Sequence, residues 1–491
     1  MTGGALAAIG LAGSLAFAGG EPPPTVEPGV SAPERSANAP AAPPAEAVGP
    51  DAGAVEPGAS PEPDAGAPGA GAPLVTSDPE SRLSERIRSA AGLALMIGLA
   101  YLASANRRRV SWKLVGIGVG LQLILGVLTR TSAGIWVFAR FNEGVQALLG
   151  YTLEGASFIF GDMARPGHPA YIAFGVLPTI IFFSALMAVL YRLGLMQLLV
   201  RGIAFVMQRT MGTSGAETLS AAGNIFVGQT EAPLLVRPFL SLMTRSELMA
   251  VMTGGFATVA GGVMVAYVGM LQGVFPDIAG HLLCASIMSA PAALVVAKIM
   301  VPETESPATA GPVRIELPAQ DQNLLDAAAR GAQEGLQLAL NVGAMLLAFT
   351  ALVALANGIL GGLSQLAGLP DPLTLEQMLG WLASPLAWMM GIRWADAVEI
   401  GSLLGVKTIL NEFLAYLQLS RMVDAVAPRS VVIATYALCG FANLSSIGIQ
   451  LGGISPLAPD RRRDLAQLAL RAMVGGTLAG FMTACVVGVI L

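Results

Sequence analysis

The chain has 491 residues, 54% of them hydrophobic and only 12% charged, with a mean hydropathy of +0.66 and a net charge of −5. Soluble domains carry about 25% charged residues, so a water-soluble fold is excluded: a body of this size could not hide so much apolar surface. The small, dispersed charge, with no basic block, argues against a nucleic-acid polymer as partner. Cys284, Cys439 and Cys485 all sit in apolar runs without a CxxC pair, and there are only two histidines, which argues against a disulfide framework or a histidine metal centre.

Residues 1–20 form a short apolar run ending in Ala16-Phe17-Ala18, the pattern of a signal peptide with an A-x-A cleavage site. No Lys or Arg precedes the run, which leaves an uncleaved anchor or a misplaced start as alternatives. Residues 21–84 are rich in Pro, Ala, Gly and Glu and read as a disordered extension, unable to bury enough surface to offset its ordering entropy. Long apolar segments follow, at 87–105, 114–128, 171–190, 248–271, 279–300, 336–359, 431–451 and 465–491. A helix needs about 20 apolar residues to cross the hydrocarbon core, so these predict eight spans, the second of them short. Two amphipathic stretches, 195–211 and 324–337, read as helices lying on the cytoplasmic face or as ordinary connecting helices.

Lys and Arg set the orientation. Arg107, Arg108, Arg109 and Lys113 follow the first span, and Arg461, Arg462, Arg463 and Arg471 mark the start of the last one. Placing both groups in the cytoplasm also puts most of the remaining basic residues there and leaves both termini periplasmic. Arg82, Arg86 and Arg88, before the first span, weigh the other way. The expectation is a multi-pass protein of a bacterial inner membrane. Its parts are N-terminal spans (85–200), a first hairpin with following spans (201–300), a cytoplasmic loop and interfacial helix (301–335), and a span, second hairpin and last spans (336–491).

The chemistry lies in two apolar segments that are broken by polar residues. Residues 214–240 carry Glu217, Asn224, Gln229, Thr230 and Glu231, with Gly228 and Pro233 around the polar cluster. Each half is too short to span, so a re-entrant hairpin with a non-helical tip fits better than a continuous helix. Unwound backbone at membrane depth is tolerated only where it faces protein or a water-filled cavity. The second lies within residues 378–418 and carries Lys407, Asn411 and Glu412. Ionisable groups inside a membrane are costly and usually functional. Each hairpin precedes a glycine-interrupted span with a polar point, Thr258 in the first case and Asn443 in the second. Paired interrupted segments in inverted halves point to a secondary transporter with a midplane site. A lone Thr258 or Ser445 would read as packing; the matched set of carboxylates and amides reads as a binding site. GSLLGVKT at 401–408 has the wrong spacing for a phosphate-binding loop, and neither HExxH nor GxSxG is present. No enzyme activity is expected, and no ATP-binding domain marks the chain, so an ion gradient is the expected driving force.

Five stretches carry a family resemblance: GNIFVGQTEAPLLVRPFL (223–240), MTRSELMAVMTGGFATVAGGV (243–263), TLEQMLGWLASPLAWMMGI (374–392), GVKTILNEFLAY (405–416) and ALCGFANLSSIGIQLGGISPLAPDRRRDLA (437–466). Together they resemble the concentrative nucleoside transporter family, over residues 85–491. The resemblance implies an all-α polytopic fold of eight transmembrane helices and two re-entrant hairpins in inverted repeats, assembled as a homotrimer in the lipid bilayer. It implies sodium-coupled nucleoside import with no organic cofactor. It places Gly228, Gln229, Thr230 and Glu231 at the nucleobase with Val263 beside it, and Glu412, Asn443 and Ser446 at the ribose hydroxyls with Phe441 in apolar contact. A sodium site would use the Asn224 side chain, the Val227 carbonyl, the Thr258 hydroxyl and the Val259 carbonyl. Proton coupling through Glu231 or Glu412 is the alternative within transport, and a channel is the alternative outside it.

Overall fold

The computed structural model describes residues 83–310, 321–369 and 371–491. The leader and extension readings for 1–82, and Arg82 of the charge argument, lie outside these. The described residues contain helices and connecting turns and no strand. Helices α1 (Leu83–Leu102), α2 (Trp112–Leu128) and α3 (Ser132–Phe160) come first. Next come α4 (Leu177–Arg192), led in by a π-turn at Ile172–Val176, α5 (Leu195–Met211) and α6 (Gly215–Gly223). A tip and a 3-10 arm, Ala232–Leu242, connect α6 to α7 (Arg245–Ala257), α8 (Gly261–Leu271) and α9 (Ile278–Met300). The rest is α10 (Leu324–Leu366), α11 (Leu375–Met389), α12 (Ala397–Ile409), α13 (Glu412–Met422), α14 (Pro428–Leu438), α15 (Leu444–Ile454) and α16 (Arg462–Ile490).

From α4 on, one order of elements occurs twice. A long helix, an amphipathic helix, a two-armed broken segment, a helix broken at its middle and a long closing helix run α4 to α9 and again α10 to α16. The core is formed by the broken and closing helices of both halves: α7, α9 and α14 are almost wholly buried and α16 is buried over most of its length, whereas α10 is largely exposed.

Local sequence explains where the short helices start. Ser214 N–H donates to Glu217 Oε1 at 2.8 Å at the head of α6, and Thr244 and Glu247 exchange bonds of 2.9 and 3.1 Å at the head of α7. Both are reciprocal pairings of a cap residue with the glutamate three positions on. Asn411 and Asn443 cap α13 and α15, accepting from Leu414 N and Ser446 N at 2.9 Å each. The head of the first hairpin is further pinned by Lys298, whose ammonium lies 2.7 Å from Glu217 and 3.2 Å from Glu303. The α4–α10 pair meets through small residues: a Cβ at Gly331 would sit 2.6 Å from the Ser184 carbonyl. Such contacts let two helices approach closely in lipid.

Several expectations change in detail. Among the described residues five helices, the broken α7–α8 unit counted as one, are long and apolar enough to cross a membrane, and the α2–α3 pair, bent by 77°, makes up to six. The α14–α15 unit and α1 do not meet that length-and-composition test. Helix α3, with 29 residues, was not among the expected spans; Arg140, Asn142 and Glu143 interrupt its apolar pattern. Residues 324–337 are no separate interfacial helix but the first turns of α10, which runs unbroken for 43 residues. At 1.5 Å per residue that is about 65 Å, far beyond the ~30 Å hydrocarbon core, so α10 is steeply inclined or projects into water. The second broken segment is also narrower than residues 378–418. Its first part, α11, is the counterpart of α5, and the arms that match the first hairpin are α12 and α13, parted at Leu410 and Asn411.

Candidate functional site

Two broken helices cross at the centre of the protein. Gly440, just past the end of α14, takes a φ of +110°, and a Cβ there would sit 2.8 Å from the carbonyls of Phe256 and Ala257 at the end of α7. Only glycine meets both demands at low cost. The crossing brings two helix ends (α7, α14) and two helix starts (α8, α15) to one place, each with backbone groups that no intrahelical bond satisfies.

Glu412 lies on the α13 side of this crossing, as the first residue of its helix, where the positive end of the helix favours a carboxylate. It is 5% exposed. Its Oε1 accepts from the Tyr267 hydroxyl at 2.8 Å and its Oε2 from Asn443 Nδ2 at 2.9 Å. Asn443 cannot turn, because its Oδ1 accepts from Ser446 N at 2.9 Å and Ser445 Oγ at 2.7 Å. Each carboxylate oxygen has about two acceptor sites, so one on each remains for a further donor. A ligand with two adjacent hydroxyls suits that arrangement. Val263 is buried four residues before Tyr267 on the same face of α8, and Phe441 is half-buried in the break.

The first hairpin tip reaches the same region from α6. Gln229 is buried and packs on Gly255, where a Cβ would sit 2.9 Å from its own and 2.7 Å from Gln450 Nε2. Thr230 packs on Gly453 of α15, where a Cβ would lie 2.5 Å away. The Gln229 amide oxygen is buried without a partner, and so is that of Gln450. Glu231 is exposed, and its carboxylate folds back against Gly228, which is buried. Glu231 forms no hydrogen bond with the Glu412 cluster; its electrostatic neighbours are Tyr191 and Glu334, on the α4 and α10 side. Thus Glu412, Asn443 and Ser446 are joined directly, Gln229 and Thr230 seat the tip on α7 and α15, and Glu231 stands apart.

Asn224, Val227, Thr258 and Val259, the residues expected to hold an ion, lie on two segments that touch, the hairpin tip and the break between α7 and α8. The Phe226 carbonyl accepts from Gly261 N at 2.9 Å, joining the tip to the break between α7 and α8. Asn224 is 1% exposed; its Nδ2 donates to Ser220 O at 3.1 Å, and its Oδ1 is buried without a partner. The Thr258 hydroxyl donates to Gly254 O at 3.0 Å, and Gly254 lies against the Asn224 amide. Among the described residues the Val227 and Val259 carbonyls accept no hydrogen bond. Unsatisfied oxygens in a dry interior cost free energy, and a hard cation is the group that satisfies several at once.

Tyr267, Lys407 and Gln450 complete the centre, and sequence reasoning missed the first and the last. Helical spacing carries the signal. Tyr267 is four residues after Val263, and Asn443, Ser446 and Gln450 fall at i, i+3 and i+7 on one face of α15. Lys407 is buried with its ammonium on the carbonyls of Ala437 and Cys439, at 2.8 and 3.2 Å. It is not within ion-pair distance of any carboxylate among the described residues.

The chain also resembles known proteins. Residues 281–488 match the family described as Na+ dependent nucleoside transporter C-terminus, 91–163 its N-terminus counterpart, and 173–273 the nucleoside recognition family Gate. An uncharacterized transporter of Bacillus subtilis, YutK, is 44% identical over 82% of this chain and 98% of its own length. Mouse solute carrier family 28 member 3 is 43% identical over 83% of this chain, which spans 59% of that longer protein. Among solved structures, CNTnw in an inward-facing substrate-bound state is 43% identical with a TM-score of 0.77, covering 82% of this chain and 97% of its own. Matching CNTnw variants also include outward-facing and intermediate states.

Proposed function

Because the chain belongs to the Na+ dependent nucleoside transporter family, we propose that it is a symporter that imports nucleosides across a bacterial inner membrane by alternating access, driven by a sodium gradient. The observation that carries this reading is the buried Glu412 carboxylate, held by Tyr267 and Asn443 with one acceptor site on each oxygen to spare. Adjacent hydroxyls of a ribose complete it with charge-assisted bonds. Gln229 turns its unpartnered amide oxygen to the base, Val263 and Phe441 supply the apolar wall, and Thr230 keeps the tip seated on α15. Glu231, outside this cluster here, joins the base when the tip closes over a bound nucleoside.

Asn224, Val227, Thr258 and Val259 would hold the sodium ion: an orphaned amide oxygen, a hydroxyl and two unbonded carbonyls are hard oxygen donors from an unwound tip and a broken helix. When bound, the ion supplies a positive charge beside the hairpin tip. The same residues tie that tip to α7 and α8, so ordering them orders the wall on which Gln229 sits. A ligand shifts a two-state carrier only by its differential affinity for the two states, and a site shared between tip and crossing helices can differ between them. The exposed apolar length of α10, including Leu340, Leu347 and Leu355, supports assembly of the protein as a homotrimer. Both termini are assigned to the periplasm on the distribution of Lys and Arg.

Uptake of radiolabelled uridine and adenosine into proteoliposomes tests the proposal, with inward sodium and inward proton gradients compared. Saturable, uphill uptake with sodium alone is expected. Uptake with protons alone would move the coupling to a carboxylate, and non-saturating flux without accumulation would make the protein a channel.

A further inference from the structure

The two halves of the protein end their broken helices in different ways. Helix α7 and helix α14 both stop inside the protein, at Thr258 and Cys439. A helix C-terminus carries unbonded carbonyls and a partial negative charge, which in a dry interior calls for a donor or a cation. At the end of α14 the cation is part of the chain. Lys407 comes from the hairpin arm α12, is 1% exposed, and directs its ammonium to Ala437 O and Cys439 O at 2.8 and 3.2 Å. No carboxylate lies within ion-pair distance of it among the described residues, so carbonyl oxygens at a helix end are its main compensation, as they are for a bound alkali ion. Its charge also offsets that of Glu412, five positions further on.

Among the described residues no lysine or arginine side chain donates to the end of α7. The equivalent position is approached by the first hairpin through Asn224, which is neutral and has an orphaned oxygen, and the Val259 carbonyl is unbonded. The end of α7 therefore lacks the built-in positive charge that the end of α14 has.

Building on the sodium reading above, we propose that Lys407 is the tethered counterpart of the coupling ion: its ammonium fills at the end of α14 the place that a mobile cation takes at the end of α7. The second half then has no free alkali-ion site, and one sodium ion accompanies each nucleoside. Lys407 is a positioning residue, holding α12 to the break from which Asn443 reaches Glu412. Without its ammonium the helix end has two carbonyls free and a pocket beside them.

The experiment counts ions on the full-length protein. Binding of radiolabelled sodium, followed without nucleoside, is expected to give one site per chain in the wild type and none in Asn224→Ala/Thr258→Val. Lys407→Ser is expected to bind a second ion, and the sodium dependence of its uptake should steepen from first order towards second order. Lys407→Arg, which keeps the charge, should keep first-order dependence. Two sodium sites in the wild type, or sodium still bound by Asn224→Ala/Thr258→Val, would overturn the proposal even if Lys407→Ser does not fold. So would a folded Lys407→Ser that binds one ion with unchanged steepness. Loss of nucleoside uptake with the sodium count intact would instead refute the substrate reading, so the two failures are distinguishable.

Discussion

Replacing Glu412 by glutamine keeps the shape of the side chain and removes its charge and one acceptor. The wild-type carboxylate faces two donors, the Tyr267 hydroxyl at 2.8 Å and Asn443 Nδ2 at 2.9 Å. A glutamine has one oxygen and one NH2, so one of the two donors must face another donor or turn away. Asn443 cannot turn without giving up Ser446 N and Ser445 Oγ, so the tyrosine hydroxyl rotates, and one ribose hydroxyl is left with a donor where an acceptor stood. Hydrogen bonds to a charged group contribute about 1.5–3 kcal/mol each. Losing one outright and weakening another costs about 2–4 kcal/mol, on the order of 30- to 1,000-fold in affinity. Calorimetry on purified protein would measure nucleoside affinity for wild type and variant, each with the ribonucleoside and its 2′- and 3′-deoxy analogues. The wild type should discriminate against both analogues, and Glu412→Gln should bind all three weakly and nearly alike. A folded variant within about threefold of wild-type affinity, or one that still discriminates as the wild type does, would refute the assignment of Glu412 to the hydroxyls.

Tyr267→Phe removes one donor to the carboxylate and should raise the KM for nucleosides about 5- to 30-fold, equivalent to about 1–2 kcal/mol, with the fold intact; an unchanged KM would mean that Tyr267 only packs. Gly440→Ala forces a Cβ into the α7 carbonyls at a φ of +110°; strain of about 1–3 kcal/mol should lower the thermal midpoint and cut uptake, and wild-type stability would show that the breaks do not cross as described. Asn224→Ala should raise the sodium concentration for half-maximal uptake about tenfold while leaving nucleoside discrimination in place, as read from uptake at varied sodium. Outside the spans, Arg330 donates to both Asp321 oxygens at 2.7 and 2.9 Å and holds its carboxyl below the usual range. The stabilisation is complete above the unfolded aspartate value of about 3.9 and is lost as pH falls through the lowered folded value. Hydrogen-exchange protection at the head of α10, taken relative to the intrinsic rate at each pH, should therefore fall on acidification in the wild type and be insensitive to that step in Asp321→Asn.

Much of the site was legible because its signals are local. Gly228 with Pro233 announces a tip. Polar side chains in an apolar run are costly enough that their presence marks a cavity, which singled out Asn224, Gln229 and Glu412 without any partner in view. Helix boundaries were less legible. Residues 324–337 are amphipathic and looked like a surface helix, yet nothing in them stops a helix, and α10 runs through. Charged residues hid α3 for the converse reason: an apolar window misses a helix that has a polar face.

Sequence by itself determined that this chain lives in a membrane, that it is built in two related halves, and which apolar segments are broken by polar residues. These follow from composition and spacing, properties of residues a few positions apart. Only the tertiary structure decided that Tyr267 serves Glu412 across 145 residues, that Gly440 lets α14 cross the end of α7, and that Lys407 ends on the carbonyls of Ala437 and Cys439. A tyrosine or a lysine in an apolar run has many energetically acceptable partners, and the choice among them is made by the packing of helices far apart in the chain.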